Sequence, residues 1–159
     1  MTRFEATNHS VAEVAAERMA IWKALTDPVV LPRLTPLLRS ITADGDLWVW
    51  ELTRFTILGI GLAPRFTERM RFEEPSVIEY THEPPARGGE PAGADGRYLL
   101  TEHDDGTRLE ITLTMHVDLP LPRTARPAVT RVMSTMMQRT GDRFAVNLLD
   151  HLGVPAESR

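Results

Sequence analysis

The chain has 159 residues, of which 42% are apolar and 25% charged, with a formal net charge of −4 and no cysteine. This is one domain of ordinary globular composition, long enough to bury a core without a covalent staple. The missing cysteines exclude a disulfide framework, a thiolate metal site and a cysteine nucleophile, and the negative balance excludes an overall basic footprint for nucleic acid.

The first residues lead into no apolar run of the kind a secretory signal carries. The longest apolar run, Ile57–Ala63, falls far short of the ~20 residues of a membrane span. The expectation is a single cytoplasmic domain over residues 1–153, followed by a tail from 154 to 159.

Phe4–Val14 reads as a strand, with Ser10 and Glu13 leaving a helical capping box as the competing reading. In Glu17–Thr26, Met19, Trp22 and Leu25 recur every three residues, and Asp27-Pro28 ends the helix. Three prolines limit the next helical piece, within Pro28–Arg39, to a turn or two.

From Ser40 the period falls to two. Ser40–Ala43, an Asp44-Gly45 turn and Leu47–Phe55 predict a hairpin. Arg65–Glu73 puts Phe66, Glu68, Met70 and Phe72 on one face and Arg65, Arg69 and Arg71 on the other. Ser76–His82 follows as a strand. Arg97–His103 and Thr107–Leu119 flank an Asp104-Asp105-Gly106 turn; with Asp105-Gly106 at its centre, Tyr98 falls opposite Leu113. Alternation along the last strand turns Leu113 and Met115 inward and His116 and Asp118 to solvent.

Arg126–Leu152 predicts one long helix whose stripe includes Met133, Met136, Met137, Phe144 and Leu148; Gly153 then fits the position after its end. A one-faced sheet needs a cover, and this helix is the only element long enough to supply it. The expected fold is α+β: about six or seven antiparallel strands curved around a C-terminal helix, with two short helices after the first strand.

That order resembles the helix-grip fold of the START-like superfamily (SRPBCC), which includes polyketide cyclase/dehydrase and lipid-transport proteins. The resemblance is carried by Trp22-Lys23-Ala24-Leu25-Thr26-Asp27-Pro28 with Pro32 and Pro36 behind it, by Asp105-Gly106-Thr107-Arg108 before a long strand, and by the helix end at Asn147-Leu148-Leu149. Leu34 stands where a tryptophan is often found in the second short helix. The resemblance implies a cavity between sheet and terminal helix, and a binder, a transfer protein or an enzyme.

No metal-ligand spacing joins the five histidines, no nucleophile elbow occurs, and Gly59-Ile60-Gly61 runs into Pro64 rather than a dinucleotide fingerprint. No metal or cofactor is expected, and no nucleic acid, since no aromatic residues interleave with the arginines. What stands out is inward methionine and aromatic surface. The ligand-binding residues expected are Trp48, Trp50, Glu68, Met70, Tyr98, Leu113, Met115, Met133, Met136, Met137 and Phe144.

The leading reading is a protein that holds a lipid-like or polycyclic aromatic molecule. The alternatives are an aromatase/cyclase-type enzyme using Glu68 and Tyr98, and a protein-interaction module with no ligand. The oligomeric state stays open, a homodimer included. The Pro/Gly-rich stretch Glu83–Asp95 is either a lid or disordered, with a cavity entrance expected between it and Gly141. Gly141 is expected either to let the helix bend or to pack against a bulky residue such as Trp22.

Overall fold

The computed structural model describes residues 1–154. Most of the tail expected from 154 onward therefore lies outside the described residues. Two short helices, α1 (Arg18–Leu25) and α2 (Val30–Leu34), follow strand β1 (Thr2–Val14). Then come β2 (Leu38–Asp44), β3 (Leu47–Leu52), β4 (Phe55–Ile57), β5 (Ile60–Leu62), β6 (Arg65–Glu73), β7 (Val77–His82), β8 (Ala92–His103) and β9 (Gly106–Leu119). A single turn of 3-10 helix leads into α3 (Arg126–Leu152). Seven strands form one antiparallel sheet in the order β1-β9-β8-β7-β6-β3-β2. The expected α+β helix-grip architecture is present.

At 1.5 Å per residue, the 27 residues of α3 span about 40 Å. Val129, Met133, Phe144, Leu148 and Leu149 are its buried stripe. Gly153, left-handed at φ 72°, returns its N–H to the Asp150 and Leu149 carbonyls and closes the helix. At one end of the sheet Trp22 of α1 meets Phe72 edge-on at 6.2 Å, and Phe72 meets Trp48 at 5.8 Å. This plug closes the core under the two short helices.

Two local expectations need correction. The strand expected over Leu47–Phe55 stops at Leu52, and Phe55 begins a separate hairpin, β4–β5. Its turn is Leu58-Gly59, both left-handed (φ 49° and 82°). A tight two-residue turn demands that conformation, and leucine is a poor signal for it.

In the β8–β9 hairpin, Asp104 and Asp105 are the central residues, Asp104 being left-handed at φ 48°. Gly106 is the first residue of β9, not part of the turn centre. A Cβ there would lie 2.3 Å from the Val14 carbonyl oxygen, so this glycine answers a close approach of β1. The register moves by two residues: Tyr98 faces Ile111 instead of Leu113. Because the shift is even, Tyr98 keeps its inward direction.

Candidate ligand cavity and the buried polar groups beside it

The sheet curls around α3 without filling the space beneath it. A cavity of about 430 Å³ remains. Its floor is the inner face of β8 and β9: Ala92, Ala94, Tyr98, Leu109, Ile111, Leu113, Met115 and Val117. Its roof is Met133, Met136, Met137, Phe144, Leu148 and Leu149 of α3. Leu31 of α2 and Phe55 and Ile57 of the small hairpin close further sides. Ile111, Leu113 and Met115 are only partly buried although their faces point inward, because the cavity stands in front of them.

The cavity opens along β1. Alternation directs Phe4, Ala6, Asn8, Ser10, Ala12 and Val14 inward. Phe4, Ala6 and Val14 are buried; Asn8 is half-buried; Ser10 and Ala12 are exposed. Asn8, Ser10 and Ala12 line the cavity together with Gln138, Gly141 and Asp142 of α3. The entrance is thus the gap between the middle of β1 and the middle of α3. This corrects the expectation of a mouth facing the Glu83–Asp95 stretch.

Gly141 does belong to the mouth, but a Cβ on it would meet only Asn8 Nδ2, at 3.7 Å. This corrects the expectation that it packs against a bulky residue such as Trp22.

Of the residues expected to bind ligand, Trp50, Tyr98, Leu113, Met115, Met133, Met136, Met137 and Phe144 are brought together on the cavity wall. Trp48, Glu68 and Met70 are not on it. Trp48 belongs to the Trp22–Phe72 plug, so the two tryptophans one pleat apart do not form a single wall. Phe66 and Tyr80 were not anticipated as wall residues. Trp50 stacks on Phe66 at 6.2 Å and tilts against Tyr80 at 5.5 Å, and Tyr80 meets Tyr98 at 5.8 Å. The signal for Tyr80 was present in the alternation of Ile78 and Tyr80 along β7.

Glu68 lies beside this aromatic wall, paired in register with Trp48 and His82. It is fully buried, and neither carboxyl oxygen has a hydrogen-bond partner. Burial first, then the nearby Asp95 and Glu90 carboxylates, raise its pKa to about 9; the Ala94 N–H opposes the rise without reaching hydrogen-bond geometry. Glu68 is therefore a neutral carboxylic acid at physiological pH. It pairs with neither an arginine nor Tyr98. Burial also lifts both phenols, Tyr98 to about 12 and Tyr80 well above its usual value, so both remain O–H groups.

The segment between β7 and β8 covers the outer face of the sheet. Glu90 fastens it: the Thr67 N–H and hydroxyl donate to its carboxylate at 2.9 and 2.8 Å, and His82 Nε2 lies 2.9 Å from it. Beneath, the His82 and His116 rings lie 4.9 Å apart. His116 is buried, which corrects its expected place in a solvated pair with Asp118. Burial first, then Arg3 and His82, lower its pKa, so it is a neutral imidazole. Of the outer arginines, Arg69 pairs with Glu83, and Arg71 with Glu73 and Glu79. Among the described residues no cluster is arranged to hold a metal ion, and no helix is long and apolar enough to cross a membrane.

No family model and no curated protein matches the sequence. Solved structures do. A START superfamily protein from Mycobacterium smegmatis aligns with a TM-score of 0.66 at 17% identity, over 92% of this chain and 97% of that one. The Zhui aromatase/cyclase from Streptomyces sp. R1128 aligns at 0.65 and 15% identity, over 94% of each chain. Ara h 8.0201 aligns at 0.54 and 16% identity, over 92% of this chain and 99% of that one. At such identities the likeness defines the fold: this chain has the START-like, helix-grip fold.

Proposed function

We propose that this protein binds a hydrophobic small molecule, lipid-like or polycyclic, in the cavity between the sheet and α3. The observation that carries the reading is the cavity itself. Its volume of about 430 Å³ lies within the ~300–1,000 Å³ of small-molecule sites. Its inner walls are mostly aliphatic, aromatic and thioether side chains, and polar residues gather where it meets solvent between β1 and α3. Four methionines on the wall suit a ligand of irregular outline, since an unbranched thioether repacks at low cost.

Titration with polycyclic phenols and fatty alcohols, followed by tryptophan emission and melting temperature, tests this. Trp50 touches the cavity while Trp48 does not. A ligand in the cavity should change emission in the wild type and in Trp48→Phe, and much less in Trp50→Phe. It should also raise the melting temperature by mass action. A broad hydrophobic library giving neither response would overturn the proposal.

A second reading, a cyclase-type enzyme, is favoured by one observation: Tyr80 and Tyr98 present phenols on the cavity wall, close to a protonated Glu68. Such groups are O–H donors to a developing oxyanion. Turnover of a poly-β-ketone analogue, lost in Tyr98→Phe with binding retained, would favour it over simple binding. The protein-interaction reading has less support, because the apolar surface encloses an internal space.

A further inference from the structure

We infer that the cavity discriminates by charge: it accepts uncharged or cationic amphiphiles and rejects carboxylates such as fatty acids. The inference rests on the binding reading above and narrows its ligand class. At the mouth, the ionised side chains on the wall are two acids, Asp142 of α3 and Glu13 of β1, of which Glu13 also faces His103 Nε2 at 3.6 Å. No lysine or arginine lines the cavity among the described residues. His9, at the same opening, faces Glu110 at 3.6 Å, so the charge it carries when protonated is already shared with an acid.

At the inner end the trend continues. Glu68 lies buried close to the wall with no counter-ion, and Asp95 and Glu90 are near enough to act on it. His116, the other imidazole bordering the cavity, is held in its neutral form.

An anionic head therefore meets two carboxylates on entry and finds no cation inside. Stripping water from a carboxylate without a compensating charge is expensive, and like charges add to the cost. A hydroxyl or carbonyl head escapes both penalties, and a protonated amine left at the mouth gains from the same two acids. Arg139 and Arg143 are exposed, as Asp142 is, but are not part of the wall.

The test uses three probes with one apolar body: 9-anthracenemethanol, 9-anthracenecarboxylate and 9-(aminomethyl)anthracene, titrated by fluorescence near neutral pH. The alcohol and the amine should bind at least about tenfold more tightly than the carboxylate. Asp142→Lys, on an exposed helix position, should narrow that gap about tenfold by favouring the carboxylate and disfavouring the amine. Equal binding of all three probes would overturn the charge inference and leave the binding reading intact. Binding by none would overturn both. Carboxylate binding unchanged in Asp142→Lys would show that the mouth acids do not set the preference and would sink the inference as argued.

Discussion

Replacing Glu68 by glutamine should stabilise the protein at alkaline pH and remove a large part of its pH dependence. In the unfolded chain Glu68 titrates near the ordinary 4.5; in the folded protein it holds its proton until about 9. Below the lower value both states are protonated and the group adds no penalty. Between the two values folding must take up a proton, at about 1.4 kcal/mol per pH unit. Stability is thus full on the acid side and is lost as pH rises toward the folded pKa. By about pH 7.5 the loss is roughly 4 kcal/mol, a large share of the 5–15 kcal/mol that holds a domain together.

Glutamine keeps the shape and carries no titrating proton. Its amide can also donate toward the Asp95 and Glu90 carboxylates that now repel the ionised acid. Urea unfolding of both proteins at half-unit pH steps is the assay. The stability difference between Glu68→Gln and wild type should grow steadily with pH in favour of the variant, and level off above the folded pKa. Comparing the two proteins cancels every other titrating group. Parallel pH profiles would refute the argument, because they would mean that Glu68 ionises in the fold with little penalty. A variant less stable than wild type at alkaline pH would refute it too.

Gly141→Ala should raise stability by about 0.5–1 kcal/mol, since the new methyl meets only Asn8 at contact distance; a thermal melt showing destabilisation would refute this. Gly96→Ala should do the opposite, costing more than about 2 kcal/mol in urea unfolding, because its Cβ would fall 2.5 Å from the Tyr80 hydroxyl and 2.7 Å from the Thr112 carbonyl. Glu90→Ala removes the acceptor shared by Thr67 and His82, and should accelerate amide exchange across residues 83–91 while leaving exchange in β9 unchanged.

The fold was legible because two hydrophobic periods divide the chain cleanly. A period of two from Leu47 to Leu119 admits only a sheet with one wet face, and the 3.6 period of α3 supplies its only adequate cover. What escaped the sequence was contact made at a distance. Gly106 looked like a turn residue, yet its reason is a carbonyl of β1 that is far away in sequence. His116 looked solvated because alternation assigns a face and says nothing about what lies over that face. The segment that buries it is held by Glu90 through Thr67 and His82, residues on three different stretches of chain. Trp48 and Trp50 share a face, but Phe72 and Trp22 claim one and Phe66 and Tyr80 the other.

The mouth shows how a functional feature can hide in an ordinary pattern. β1 carries Phe4, Ala6 and Val14 inward at its two ends, as any covered strand does. Between them the inward positions are Asn8, Ser10 and Ala12, which have little apolar surface to bury. A helix crossing there gains little apolar burial: at Gly141 a Cβ would stand at ordinary contact distance, 3.7 Å, from Asn8 Nδ2, while Ser10 and Ala12 beyond it stay exposed. Large apolar residues at Asn8 and Ser10 would reverse that balance and draw α3 onto the strand. The opening therefore follows from the small and polar residues Ser10 and Ala12 on the inward face, next to the contact between Asn8 and Gly141. It requires no mobile lid, and the Pro/Gly-rich segment on the other face of the sheet takes no part in it.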